Sequence, residues 1–306
     1  MDAETTETTE TINFAAAREA IKAYSLKRGA VAVGIADADL VERIAPQGFG
    51  PKALLPGARS VISIGVTGCT RGTWKSNAKV MTFIGNSVGP IYRASFGLSF
   101  FIEKTFAYPS IFVPPHVDPE YGARVPIQSL KLHAELAGIG ARSMAGDILL
   151  HPEYGLLYYG SVITEMPLPT DTPMAANPCP APACVEMYKR QARTPCQKFC
   201  PVDCLSGSIA DGGEIDEMVC DMARCAEMCQ QYENMPNIIS DAITAEAELD
   251  REEALYGAES QAFFYKVTSA VGATHAQCFE CMRVCPVVTA APQADPIRMG
   301  EAARGA

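Results

Sequence analysis

Two cysteine runs carry most of the chemistry open to this chain. Cys278-Phe-Glu-Cys281-Met-Arg-Val-Cys285-Pro286 is echoed upstream by Cys196-Gln-Lys-Phe-Cys200-Pro201. Each closes on cysteine, three residues, then Cys-Pro, the ending seen in two-cluster iron–sulfur modules, where the last cysteine of a run ligates the other run's cluster. Two such endings imply two 4Fe-4S clusters with crossed ligation, a short path for single electrons. The chain has twelve cysteines, more than the eight thiolates that two clusters require. Reading backward from Cys200, the first run takes Cys179, Cys184, Cys196 and Cys200. The second has Cys278, Cys281 and Cys285 and draws its missing member from Cys220, Cys225 or Cys229. Zinc fits less well, because only one clean C-x2-C is present and zinc has no use for a repeated C-x3-C-P. Disulfides fit least. Met1 to Glu7 has neither the basic nor the apolar region of a secretory signal, so a cytoplasmic protein is expected, in a reducing compartment that suits thiolates held by iron.

The elements that must position these thiols follow from pattern. Asn13 can cap a helix with Phe14, Ala17, Ile21 and Tyr24 at helical spacing, ended by Gly29. Ala30 to Ala36 and Ser60 to Val66 are apolar and β-branched, separated by a turn at Leu54 to Gly57. A buried helix is expected over Ile91 to Phe106 and a short strand over Ile111 to Val113. Another helix should begin near Pro126, with Leu130, His133 and Leu136 on one face and Gly138 past its end. Strands are expected over Ile148 to Leu150 and Tyr158 to Thr164. Composition then shifts: Met166 to Pro182 holds six prolines, and of the twelve cysteines one lies within it and ten beyond it, as for a stiff connection between domains. The expected division is a disordered stretch over 1–12, a cofactor or substrate domain over 13–172, a ferredoxin-like 4Fe-4S domain over 173–290 and a flexible tail over 291–306. The insertion from Gln230 to Ala270 reads as helical.

A length of 306 residues with 48% hydrophobic composition allows a sizeable core, and a net charge of −10 disfavours nonspecific nucleic-acid binding, which needs Lys and Arg to neutralise phosphates. No apolar stretch reaches the roughly 18–20 residues of a membrane span. Gly138-x-Gly140-x-x-Ser143 follows a helix instead of a strand, which removes the phosphate geometry of a dinucleotide fingerprint. His133 among leucines suits a core histidine better than a ligand. His275 could donate to a cluster sulfur, and Cys69 follows a strand as a small hydrophobe would.

The chain resembles the superfamily of epoxyqueuosine reductases and reductive dehalogenases. Ala32-Val-Gly-Ile-Ala36 and Leu55-Pro-Gly-Ala-Arg-Ser-Val-Ile62 are similar to its first two strands. Leu130-Lys-Leu-His-Ala-Glu-Leu-Ala-Gly-Ile-Gly140, Ile148-Leu-Leu-His-Pro-Glu-Tyr-Gly155 and Gly160-Ser-Val-Ile-Thr164 are similar to segments around its corrinoid pocket. The resemblance implies an α+β fold, a nitroreductase-like α/β cofactor domain followed by a ferredoxin-like two-cluster domain. It implies a cobalamin, held base-off near Gly138, Gly140, Leu149 and His151, with FMN as the alternative. An isolated cysteine follows a Leu-Asp pair in the epoxyqueuosine enzymes; Ile215-Asp216 precedes Cys220 here, which selects Cys220 as the missing ligand. The expected ligand sets are then Cys179, Cys184, Cys196 and Cys285 on one cluster and Cys200, Cys220, Cys278 and Cys281 on the other.

Three departures bear on function. The family's Gly-Leu-Gly-Trp-Ile-Gly-Lys-Asn loop is replaced by Gly138-Ile-Gly-Ala-Arg-Ser-Met-Ala145. Neither the helical-repeat extension of many epoxyqueuosine reductases nor the twin-arginine leader of respiratory dehalogenases is expected, so the resemblance transfers redox architecture and not a substrate. A reduction needs a positioned proton donor, an Asp or Tyr in this superfamily, and Asp118 and Tyr121 precede the Pro126 helix where that donor should lie. Arg124 could hold an anionic group beside them. The expected function is a cluster-fed oxidoreductase, reductive dehalogenase-like, acting on a small molecule with a ferredoxin or flavodoxin as donor. The alternative is an electron-transfer protein that reduces a partner such as a corrinoid protein.

Overall fold

The computed structural model describes residues 12–67, 82–113, 127–230 and 280–290. Helix α1 (Phe14–Lys27) starts where Asn13 accepts the amides of Ala15 and Ala16, as a side-chain N-cap should. It leads into β1 (Ala32–Asp37), α2 (Ala38–Ile44), α3 (Pro51–Leu54) and β2 (Ser60–Val66). Asp37 ends β1 and caps α2 by accepting Leu40 N–H at 2.8 Å. Then come α4 (Thr82–Phe106), β3 (Ser110–Val113), α5 (Leu130–Leu136), β4 (Ala141–Ser143), β5 (Gly146–His151), β6 (Gly155–Leu156) and β7 (Tyr158–Thr164).

The main sheet runs β1-β2-β7-β3 with antiparallel neighbours throughout. Every residue of β2 is buried, as are all but the first of β7, so these apolar runs need cover on both faces. One face sends Ile62, Ile64 and Val162 against Ile21 of α1 and Leu98 and Ile102 of α4. The other sends Val61 and Ile163 against Val41 of α2 and Leu132 and Leu136 of α5. Each such fully buried aliphatic side chain contributes roughly 1.5–3 kcal/mol. Gly34 is required where α5 ends: a Cβ there would stand 2.0 Å from the Ala137 carbonyl oxygen.

The proline-rich connection is stapled to this sheet at its start. Ser60 Oγ donates to Met166 O and accepts from Leu168 N–H, and Asp171 exchanges backbone and side-chain hydrogen bonds with Ile35. Beyond it lie α6 (Pro182–Gln191), α7 (Pro195–Lys198), the hairpin β8 (Leu205–Ile209) and β9 (Ile215–Cys220), α8 (Met222–Gln230), α9 (Glu280–Arg283) and α10 (Pro286–Ala290). A single hydrophobic cluster joins Met144, Ala145 and Leu150 to Cys179, Cys196, Cys204, Leu205, Met282, Cys285 and Val288, so the second small sheet, β4-β5-β6, forms the floor under the cysteine-bearing segments.

Candidate iron–sulfur centres

Four thiols converge from four separate places in the chain. Cys179 lies in the connection, Cys184 on α6, Cys196 on α7 and Cys285 between α9 and α10, and all four line one pocket. Its remaining wall is uncharged, with Met144, Leu150, Met282 and Val287 among it. Local structure explains the convergence. Pro182 opens α6 and Pro195 opens α7, each at a position where a missing N–H costs nothing, and Gln197 Oε1 accepts Thr194 N–H at 2.8 Å to close the α7 start. Met144 N–H donates to Cys179 Sγ at 3.3 Å, and Thr194 Oγ1 lies 3.2 Å from Cys196 Sγ. Burial pushes the thiols up, Cys179 to about 12 and Cys184 to about 11, with Cys196 and Cys285 also raised. Four buried thiols facing an uncharged wall are a donor set that fits a metal–sulfide group: no cationic side chain lines the pocket, and none of the described cysteines forms a disulfide.

A second group gathers around the hairpin. Leu205 is registered opposite Cys220, and Asp221 N–H donates to Cys204 O at 2.8 Å, which brings Cys204 beside Cys220. Cys200 Sγ lies 3.3 Å from Cys204 Sγ, and Cys225, on α8, hydrogen-bonds Cys204 through its side chain. Cys281 packs against the hydrophobic cluster that both thiol groups share. These thiols are less deeply placed: Cys200, Cys220, Cys225 and Cys281 are half-buried, whereas the first four are buried. Gly146 abuts the group, since a Cβ on it would meet Cys220 Cβ at 2.6 Å. Among the described residues no three His, Cys, Asp or Glu side chains cluster as ligands of a single metal ion; a cubane gives each thiolate its own iron and asks for a wider set.

Cys204 and Cys225 exceed the eight expected ligands, Cys225 having been set aside as the missing member when the resemblance selected Cys220. The signals that could have found them are the C-x3-C from Cys200 to Cys204 and the hairpin register that sets Cys204 and Cys220 side by side. Cys278, His275, Cys69 and the loop carrying Asp118, Tyr121 and Arg124 lie outside the described residues. The expected corrinoid contacts are engaged in packing. Gly138, at φ +72°, faces Thr172, whose carbonyl oxygen would stand 2.2 Å from a Cβ. Gly140 is filled by the Tyr159 hydroxyl and Leu149, and Leu149 is a buried core residue. His151 turns its Nδ1 to the amides of Glu153 and Tyr154. His133 is buried, its Nδ1 3.0 Å from Ser161 Oγ.

No family model matches the chain, and no curated protein does. Solved structures share its fold. An epoxyqueuosine reductase with a tRNA-Tyr stem loop aligns at 19% identity and a TM-score of 0.52, over 91% of this chain and 67% of that one. The epoxyqueuosine reductase of Bacillus subtilis aligns at 18% identity and a TM-score of 0.52, with the same coverage. A reductive dehalogenase whose structure suggests a mechanism for B12-dependent dehalogenation aligns at 18% identity and a TM-score of 0.51, over 74% of this chain and 31% of that one. The chain therefore has the fold common to these two groups of enzymes and is shorter than either.

Proposed function

We propose that the protein is an iron–sulfur reductase. The observation that carries this reading is the convergence of Cys179, Cys184, Cys196 and Cys285 on one uncharged pocket with a second thiol group around Cys200 and Cys220. Support at the scale of the fold comes from the similar structures, all oxidoreductases by name. The first four thiols would hold one 4Fe-4S cluster, and Cys200, Cys220, Cys278 and Cys281 the other. Such clusters supply single-electron transfer, at potentials set by charge, burial and hydrogen bonds to sulfur. The residues around them do the rest. The half-buried second group is the natural face for a ferredoxin or flavodoxin donor, while the buried first group is insulated from water by Met144, Leu150 and Met282. Met144 N–H donates to Cys179 Sγ of the buried set, and the Thr194 hydroxyl would donate to Cys196 Sγ once that sulfur is a ligating thiolate.

The electron acceptor and substrate stand at a further remove. In this reading Asp118 or Tyr121 holds the proton that a reduction consumes, and Arg124 orients an anionic small molecule. Gly138, Gly140, Leu149 and His151 would be the contacts of a cobalamin or of FMN. The second reading, an electron-transfer protein that reduces a partner, needs only the two thiol groups. Anaerobic protein reconstituted with iron and sulfide, then passed over a desalting column with cobalamin or FMN, separates the two. Retention of either cofactor, with its reduction by reduced flavodoxin, supports the enzyme. Reduced clusters that retain neither cofactor but are quickly reoxidised by a corrinoid protein support the carrier. A preparation that takes up no iron overturns both. The tRNA stem loop belongs to a neighbour of similar fold; turnover of an RNA-borne substrate would overturn the expectation of a small molecule alone.

A further inference from the structure

The second thiol group holds more sulfur than a cluster can use. Cys200 and Cys220 are assigned ligands, yet Cys204 stands between them, 5% exposed, with its Sγ 3.3 Å from Cys200 Sγ. Its backbone is fixed on both sides: Cys204 N–H donates to Cys200 Sγ at 3.4 Å, and Cys204 O accepts from Asp221 N–H at 2.8 Å. A thiol anchored there has little freedom to leave Cys200. Sulfurs this close also crowd too tightly for each to take a separate iron of one cubane, whereas the distance suits an S–H donor to a sulfur acceptor. When Cys200 ligates iron it is a thiolate and can only accept, so the proton of the pair sits on Cys204.

We infer that Cys204 is a positioning residue of the second centre, donating an S–H hydrogen bond to the ligating Cys200 sulfur and raising that centre's reduction potential. The inference rests on the iron–sulfur reading above. Reduction adds negative charge to the cluster and its sulfurs, so a donor to a ligating sulfur stabilises the reduced form more than the oxidised one. Burial strengthens the effect, because a hydrogen bond in a low-dielectric site is electrostatically stronger than in water. Cys225, bonded in turn to Cys204, extends the same chain of thiols. The consequence is directional: the half-buried centre is held at a higher potential than it would have without Cys204, which makes it easier to load from a donor.

The test is a mediated redox titration, followed by electron paramagnetic resonance, of the full-length anaerobic protein and its Cys204→Ala, Cys204→Val and Cys204→Ser variants. Iron and sulfide should stay at the native content in all of them. Ala and Val lack a donor and should move the midpoint of one centre to more negative potential, by about tenfold in its reduction equilibrium constant, or about 59 mV for a one-electron couple. Ser keeps a donor and should stay near the native value, and the other centre should not move in any variant. Should Ala fail to fold, Val, closer in volume, carries the comparison. Loss of half the iron in the Ala and Val variants would make Cys204 a ligand and overturn the inference. So would intact centres with unmoved midpoints. A native chain without clusters would overturn the iron–sulfur reading itself, an outcome that native iron analysis distinguishes.

Discussion

His133 shows at the residue scale how the fold treats a polar group it has no chemical use for. It is a buried residue of α5 with Ser161 as its partner, and burial pulls its pKa down to about 4. An unfolded histidine titrates near 6.5. Between those values the unfolded chain binds a proton that the native state refuses, so stability is fully present above about pH 6.5 and is lost as the pH falls toward 4. The full effect is on the order of 3 kcal/mol at about 1.36 kcal/mol per pKa unit. Urea unfolding midpoints should therefore fall from pH 7.5 to pH 5 in the native chain, and His133→Asn should flatten that part of the profile. An equal slope in the variant would place the pH dependence in another group. His133 was legible as a core residue from its leucine neighbours. Cys204 was not, because its C-x3-C spacing from Cys200 does not tell a sulfur neighbour of a ligand from a ligand itself.

The elements divide in the same manner. The bounds of β2 and β7 could be read off unbroken apolar runs, and the start of α1 off Asn13. Their order could not: β7 sits between β2 and β3, a long-range pairing that no local pattern encodes. The hairpin β8–β9 was also missed, since its strands alternate between half-buried and exposed residues with only Leu205 buried. The proline-rich connection was expected as a stiff link between domains, and its attachment to the sheet was not foreseen. There Asp171 accepts from Arg18, from Lys22 Nζ at 2.8 Å and from Ile35 N–H at 2.9 Å. Burial pushes its carboxyl up, yet these donors together hold it below the usual carboxylate range. Asp171→Ala removes the acceptor and leaves two cations facing each other. The expected cost is about 2 kcal/mol of stability, read as a lower urea midpoint, with cluster content unchanged. A loss of clusters without a loss of stability would mean that Asp171 serves the centres directly.

On the scale of the whole molecule, the cysteine-bearing half is built around its thiols. The cluster that unites β4-β5-β6 with α7, β8, α9 and α10 has four cysteines among its buried members. A metal–sulfide group bound there, as proposed above, would contribute to folding as well as to electron transfer. Removing iron with an anaerobic chelator should lower the melting temperature by several degrees and expose 173–290 to proteolysis before 13–172; an apo chain that melts at the native temperature would show that the thiols need no metal to pack. The repeated C-x3-C-P that points to two centres is a local pattern, and the set of Cys179, Cys184, Cys196 and Cys285 was already expected from crossed ligation and the family resemblance, while the way four separate segments bring those thiols to one pocket required the fold. The most direct measurement of the central claim is iron and sulfide analysis with visible absorption on anaerobically purified protein and its Cys196→Ala variant. Two clusters should give about eight irons and eight sulfides per chain, with broad charge-transfer absorption, and the variant should lose about half of each. Stoichiometric zinc without that absorption would contradict the iron–sulfur reading of this protein.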